Sequence, residues 1–559
     1  MFKNRSVNVH SFAMVPRADI PRSSFRMQRA YKTTFGGGPA EGGTPVEEYP
    51  QYSWLYPIFC EEVLPGDTFN LRMTAFARLA TPINPTMDNL YLDSFFFFVP
   101  NRLTWENWPK FMGERYPFTN SSIDYTVPQQ ESPTGGYLHN SLGDYFGLPI
   151  AGQIDGDQIL SHNALPFRAY KLIWNEWFRD QNVDDAVEVP LDDGPDATLP
   201  LLLPRFKRHD YFTSCLPWPQ KGDAVTLPIG GNVPVYTSEE DNPLLSMSME
   251  PLHWQNPAGS SPTLGQQLGI DTGGVTGVGG SGFVPLDTLW PSNLYADLSE
   301  ITSVTINQLR QSFQIQKLLE RDARGGTRYT EVIRAHFGVI SPDARLQRPE
   351  YLGGGSTPVQ ISPVAQTSAT TVTGTDTPQG NLAAIGTSVF RNHGFTQSFT
   401  EHGYVIGLVN IRADLSYQQG LRRHWSRQTR YDYYFPVFAM LGEQAVLRKE
   451  IYCTGDPAND DVVFGYQERW AEYRYMPSEI TGYFRSTTSG TLDSWHYAQN
   501  FETPPVLNAA FMRDQPPLER NLAVGPEANG AQFLFDAFFD IQAARALPMY
   551  SVPGLIDHF

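Results

Sequence analysis

Asn89–Val99 reads Asn-Leu-Tyr-Leu-Asp-Ser-Phe-Phe-Phe-Phe-Val, and this stretch decides the fold class. A strand with one wet face alternates apolar and polar side chains. Four successive phenylalanines, Phe95 to Phe98, cannot do that and need cover on both faces, as in the inner layer of a sandwich. Upstream, Phe69–Phe76 (FNLRMTAF) alternates with period two, the mark of a strand with one buried face. Downstream, Tyr404–Asp414 (YVIGLVNIRAD) is apolar enough to be a buried strand, and Phe533–Leu547 supplies the last apolar stretch. Tyr431–Leu447 alternates in part and Trp470–Met476 (WAEYRYM) alternates throughout, so both read as strands. Thr357–Thr377 reads as Ser/Thr-rich loops with edge strands. Many short strands, long connections and no βαβ rhythm point to a mainly β chain. The expected architecture is an eight-stranded antiparallel jelly-roll β-sandwich with long loop and helical insertions.

Helices are few. Tyr170–Arg179 (YKLIWNEWFR) is amphipathic, with Trp174 and Trp177 as core or interface anchors. A short helix is expected from Thr104, limited by Pro109. Thr305-x-x-Gln308 is a capping-box pattern that opens a longer helix. Ile306, Leu309, Phe313, Leu318 and Leu319 mark its apolar face, and Gly325-Gly326 ends it. A second short helix fits Tyr329–Phe337, followed by a turn at Ser341-Pro342-Asp343. The polar side is rich in arginine. Arg310, Arg321, Arg324 and Arg328 read either as a solvated face or as contacts to another subunit.

Formal net charge is −18, which argues against a uniformly basic nucleic-acid coat. The charge is segregated. Residues 1–32 hold seven Lys/Arg and one acid, Asp19, whereas residues 217–300 hold nine acids, one Lys and no Arg. The first segment reads as a basic extended arm, its Arg17, Arg22, Arg26, Arg29 and Lys32 interleaved with aromatics and available to nucleic acid. The second, Gly- and Pro-rich, reads as an outward-facing insertion. Cys60, Cys215 and Cys453 are far apart and odd in number, as expected of buried free thiols rather than disulfides or a zinc site. No apolar run approaches the roughly 18 residues of a membrane span.

No catalytic motif is present. There is no P-loop, G-x-S-x-G or H-E-x-x-H. The literal G-x-G-x-x-G at Gly277–Gly282 opens no helix and is not a dinucleotide site. His393, Glu401 and His402 lack the convergence a metal requires, so neither metal nor cofactor is expected. The best binding strip is Arg422–Tyr431, in which Arg422, Arg423, Arg427 and Arg430 are interleaved with Trp425 and Tyr431. It suits single-stranded nucleic acid, with guanidinium on phosphate and rings on bases, or else the acids of a neighbouring subunit.

The runs LLERDARGGTRYTE (318–331), HFGV (336–339) and SPDARLQRPEYLGG (341–354) resemble the major capsid protein of the gokushovirus-type microviruses, small icosahedral single-stranded DNA phages. So do LDSFFFFVP (92–100) and MYSVPGLIDH (549–558), so the resemblance spans nearly the whole chain. It implies a T=1 virion capsid of identical subunits around a circular single-stranded DNA genome, assembled in the host bacterial cytoplasm and without enzymatic activity. It also implies a small basic DNA-binding protein, a pilot protein, an internal scaffolding protein and a host surface receptor as partners. On this reading residues 1–50 are the basic arm and 51–216 the first part of the jelly roll with a helical excursion. Residues 217–300 are a surface protrusion, 301–356 a helical Arg-rich insertion, and 357–559 the remaining strands, loops and tail. The alternative from the residues alone is a β-sandwich that binds or acts on carbohydrate, with Trp and Tyr as sugar platforms and paired carboxylates in a cleft.

Overall fold

The computed structural model describes residues 22–36, 54–114, 125–223 (except 197 and 200), 306–339 (except 327), 347–523 (except 368, 369, 373, 374, 378 and 379) and 531–549, with residue 225 and six short strand pieces between 235 and 296. The chain divides into two compact units, Met1–Pro219 with Gly325–Phe559, and Gln220–Arg324.

The first unit is built on eight strands: β1 (Ser23–Phe35), β2 (Tyr56–Val63), β3 (Thr68–Leu79), β4 (Leu90–Pro100), β5 (Glu350–Ala365), β6 (Leu382–Ser398), β7 (Gly403–Ala413) and β8 (Phe533–Arg545). Their order, β1-β8-β3-β6-β5-β4-β7-β2, is antiparallel throughout. It folds into two four-stranded sheets, β1-β8-β3-β6 and β5-β4-β7-β2, which is the expected jelly roll. The long hairpin β5–β6 joins them. Residues 350–359 of β5 pair with β4 and residues 360–365 pair with β6, while the rest of β6 runs along β3. Gly353-Gly354-Gly355 allows this crossing. A Cβ on Gly354 would overlap the Ser94 carbonyl oxygen, and one on Gly355 would lie 2.7 Å from His393 Nε2.

β4 is covered on both sides, as the phenylalanine run requires. Leu90, Leu92, Phe96 and Phe98 point between the sheets and join Phe35, Phe69, Leu71, Phe390, Phe535 and Phe539 in the central core. Phe97 and Val99 point the other way. They pack beneath a second core made with Phe167, Tyr170 and Trp174 of helix α1 (Leu165–Ile173, extended by a wider turn Trp174–Phe178) and with Phe206, Phe212, Phe464 and Phe511. Asp93 shares that outer side and is buried, so its charge needs a partner. Arg205 Nη1 (2.6 Å) and Arg412 Nε (2.8 Å) supply it.

Several expectations change. Ser23–Phe35, read as part of an extended arm, is the edge strand of the first sheet, paired along its length with β8. Glu350–Ala365 is one sixteen-residue strand, where the end of the helical insertion was expected up to residue 356 and Ser/Thr-rich loops with edge strands from Thr357; its glycines and prolines hide its length from propensity. Within Tyr431–Leu447 only Glu443–Leu447 is strand, and Trp470–Met476 forms a tight turn with Trp470 at φ 70°. The short helix expected from Thr104 lies at Trp108–Phe111, with Pro109 in its first turn, where a missing N–H costs nothing. All three cysteines are free, but only Cys215 is buried as expected; Cys60 is half-buried and Cys453 exposed. Thr305, Gly279–Gly282 and Ser341–Asp343 lie outside the described residues.

His393 is a buried hydrogen-bonded histidine, with Ser94 Oγ 2.8 Å from Nδ1 and Thr357 Oγ1 3.0 Å from Nε2. Burial lowers its pKa, opposed by the charge of Asp93. A folded-state pKa below the unfolded value of about 6.5 gives stability that is present above that value and lost as pH falls. Wild-type protein should therefore lose thermal stability faster than His393→Gln between about pH 7 and about pH 5. Equal pH slopes in the two melting series would contradict this.

Candidate nucleic-acid and subunit-contact surfaces

Arg422–Trp425 and Arg427 of the strip line one wall of an open cleft of about 490 Å³ whose other walls come from Tyr211, Glu450, Tyr473, Tyr475 and Glu479. Two short turns, Arg423–Ser426 and Arg430–Asp432, fold the strip back on itself, the second capped by Asp432 accepting from the backbone N–H groups of Gln428 (3.0 Å) and Thr429 (2.7 Å). Its arginines part company. Arg423 donates to Glu450 Oε1 (2.9 Å) and to the Ala445 carbonyl (2.8 Å), and lies 3.9 Å from Glu472. Burial raises the Glu450 carboxyl above its ordinary value, against the pull of Arg423. Arg427 reaches Glu472 (3.4 Å) and stacks over Tyr433 and Tyr473. These two arginines hold the loop together. Arg422 pairs with the exposed Glu479 at 2.8 Å, an exchangeable surface contact. Arg430 lies 5.3 Å over Phe435, and Trp425 is 71% exposed. Arg422, Trp425 and Arg430 are thus the part of the strip that a partner can reach.

The arm residues separate in the same way. Arg17 lies outside the described residues. Arg22 is exposed just before β1, its guanidinium 3.3 Å from the Cβ position of Gly66. In β1, Arg26 grips Asp540 of β8 with two hydrogen bonds (2.8 and 2.9 Å), and Lys32 pairs with Asp536. Arg26, Gln28, Ala30 and Lys32 share the outward face, whereas Arg29 has the opposite parity, opposite Phe539 of β8.

Helix α2 (Ile306–Gly325) belongs, apart from its last residue, to the second unit. Arg310, Arg321 and Arg324 are exposed along it, and so are Ile306, Phe313 and Leu318 of its apolar face. Arg328 is different. It stands at the start of α3 (Tyr329–Phe337) in the first unit, where its guanidinium donates to the Glu176 carboxylate (2.8 Å), the Glu176 carbonyl (2.6 Å) and Glu331 (3.0 Å). It ties α3 to the end of α1, so its guanidinium is engaged within the first unit.

Two surfaces escaped the reading of the sequence. One is an apolar belt on the loops around the cleft, with Val437 (88%), Met440 (94%) and Met476 (88%) almost fully exposed. The other is the outward face of β3, with Arg72, Phe76 and Arg78 in line. The period-two pattern of Phe69–Phe76 already contained this second set, since it places those residues opposite the buried ones.

With these surfaces in place, comparison with known proteins is informative. The family model described as "Capsid protein (F protein)" matches residues 13–555. The chain belongs to this phage capsid family. Relatives within reach of alignment share its full length. It is 46% identical to capsid protein VP1 of Bdellovibrio phage phiMH2K over 99% of both chains, and 42% identical to capsid protein VP1 of Chlamydia phage 1 over 98% of both. Capsid protein VP1 of Spiroplasma virus 4 is 37% identical, again over 98% of both. The resemblance read from the motifs therefore holds across the chain. No helix among the described residues is long and apolar enough to cross a membrane.

The two kinds of residue in the strip should separate on mutation. Arg423→Met strands the buried Glu450 without a cation, while Glu472 keeps Arg427, and should cost about 3–5 kcal/mol of stability. Trp425→Ala should cost less than about 0.5 kcal/mol. Denaturant or thermal unfolding of the two variants checks this ordering, which the reverse result would refute.

Proposed function

We propose that this chain is the major capsid protein of a microvirus-type phage, copies of which close into an icosahedral T=1 shell around circular single-stranded DNA. Full-length membership of the capsid family carries the reading. The exposed loop residues support it, because apolar side chains such as Val437, Met440 and Met476 are costly in water and become favourable when a second copy covers them. The role is structural. The strip residues Arg422, Trp425 and Arg430, the arm residues Arg17, Arg22, Arg26, Arg29 and Lys32, and the α2 arginines Arg310, Arg321 and Arg324 are the candidates for contact with DNA or neighbouring subunits, Arg26 and Lys32 by exchanging their exposed ion pairs to Asp540 and Asp536. Arg423, Arg427 and Arg328 act from within the subunit, shaping the surfaces that the others present. The acidic segment 217–300 is the region that would meet a host surface receptor. Assembly in the host cytoplasm with a scaffolding protein, a pilot protein and a small basic DNA-binding protein completes the scheme.

Expression of the chain with the remaining structural genes of its phage should give megadalton shells on sedimentation. Only species near the subunit mass of 62.8 kDa would contradict the proposal. The double variant Val437→Asp/Met440→Asp should fold with a near-normal melting temperature, since both residues are exposed, yet fail to form shells because an uncompensated charge is buried in the contact. Normal shell yield from it would remove this belt from the subunit contact.

A further inference from the structure

The two outer faces of the sandwich are not alike. The β5-β4-β7-β2 sheet carries the second core on its outer face. The β1-β8-β3-β6 sheet has exposed side chains on its outer face. Along β3 the outward residues are Arg72, Thr74, Phe76 and Arg78, and along β8 they include Leu534, Asp536, Phe538 and Gln542. The register sets them in rows. Phe76 sits between Asp536 of β8 and Val389 of β6, and Phe538 sits between Ala30 of β1 and Thr74 of β3. Phe76 is 45% exposed and Phe538 43%. A shallow depression of about 370 Å³ opens beside Phe76, bordered by Lys32, Leu534 and Asp536.

The charge on this face runs against that of the chain. Arg26, Lys32, Arg72, Arg78 and Arg391 stand against Asp536 and Asp540, in a protein of formal net charge −18. The two carboxylates are already engaged by Lys32 and Arg26, and the Arg26 hydrogen bonds, with Arg72 adding to the pull, hold the Asp540 carboxyl below its ordinary value. Arg72 and Arg78 take no ion pair among the described residues.

We propose that this bare sheet face binds the single-stranded DNA and turns toward the lumen of the shell, a step that rests on the capsid reading above. Exposed phenylalanines on a flat sheet offer stacking platforms to unpaired bases, and every base has a face to stack whatever its sequence. Arg78, at the outward position about 6.6 Å along the strand from Phe76, and Arg72, about 13 Å away on its other side, can meet the phosphates that flank a stacked base. The loop belt around Val437 and Met440, almost wholly apolar, suits a contact to a second copy better.

The test uses the full-length chain and a fluorescein-labelled (dT)20 strand, followed by anisotropy over a salt series, with shell yield and melting temperature measured for each variant. Arg72→Gln/Arg78→Gln should weaken binding about tenfold and flatten the salt dependence by about 1.4, two phosphates at about 0.7 each on a single strand. Phe76→Ala should weaken binding about fivefold or more and leave the salt slope unchanged, because stacking releases no counterions. Phe76→Trp should keep the affinity, and its added indole emission should be quenched by (dT)20. If all variants bind like wild type while shells still form, the proposal is overturned and the capsid reading stands. Variants that bind (dT)20 normally but lose shell assembly overturn it too, since the face is then a subunit contact. Wild-type chain that forms no shells with its phage's structural genes overturns the capsid reading itself.

Discussion

Four consecutive phenylalanines in one strand impose the constraint on which the rest of this structure depends. In an extended chain their rings point alternately to opposite sides, so neither side of that strand can face water. Phe96 and Phe98 therefore demand a facing sheet, and Phe97 demands a second layer. The facing sheet closes the jelly roll. The second layer is why so much chain lies between β4 and β5 and between β7 and β8: these connections supply α1 and the loops that cover β4 from outside. Each fully buried phenylalanine contributes roughly 1.5–3 kcal/mol over an exposed one, so β4 alone justifies that layer energetically.

Covering one sheet leaves the outer face of the other exposed. The loop layer carries an apolar belt and an arginine-lined cleft, and the open sheet carries phenylalanine and arginine in rows. A capsid subunit needs both kinds of surface, one complementary to itself and one complementary to a polyanion. The buried ion pairs prepare them. Arg423 and Arg427 fix the loop that exposes Trp425, and Arg328 fixes α3 against α1.

Much of the fold was legible in the sequence. Phe69–Phe76, the phenylalanine run, Tyr404–Asp414 and Phe533–Leu547 all became strands of the jelly roll, because a period of two is a local signal that tertiary packing preserves. The helix Tyr329–Phe337 keeps the limits read for it. Glu350–Ala365 stayed hidden because its glycines serve a close crossing rather than a turn, and that need arises only once β4 and His393 are in place. The aromatic runs 431–441 and 470–476 misled for another reason. Alternation is read as a strand facing its own core, but Val437, Met440 and Met476 are exposed, so their apolar character does not mark a buried face of this subunit. The arginines show the same limit. Nothing local distinguishes Arg423 from Arg430. Glu450 and Glu472, brought in by the fold, take one and leave the other.

The central claim is that one face of the sandwich is closed by its own loops and the other is kept for the genome. A cryo-electron-microscopy reconstruction of the DNA-filled particle tests it most directly. The account predicts that β1-β8-β3-β6 lines the lumen, with nucleic-acid density against Phe76, Arg72 and Arg78 and the loop layer directed away. A shell in which that sheet points outward, or lies buried between subunits with the DNA elsewhere, would contradict it.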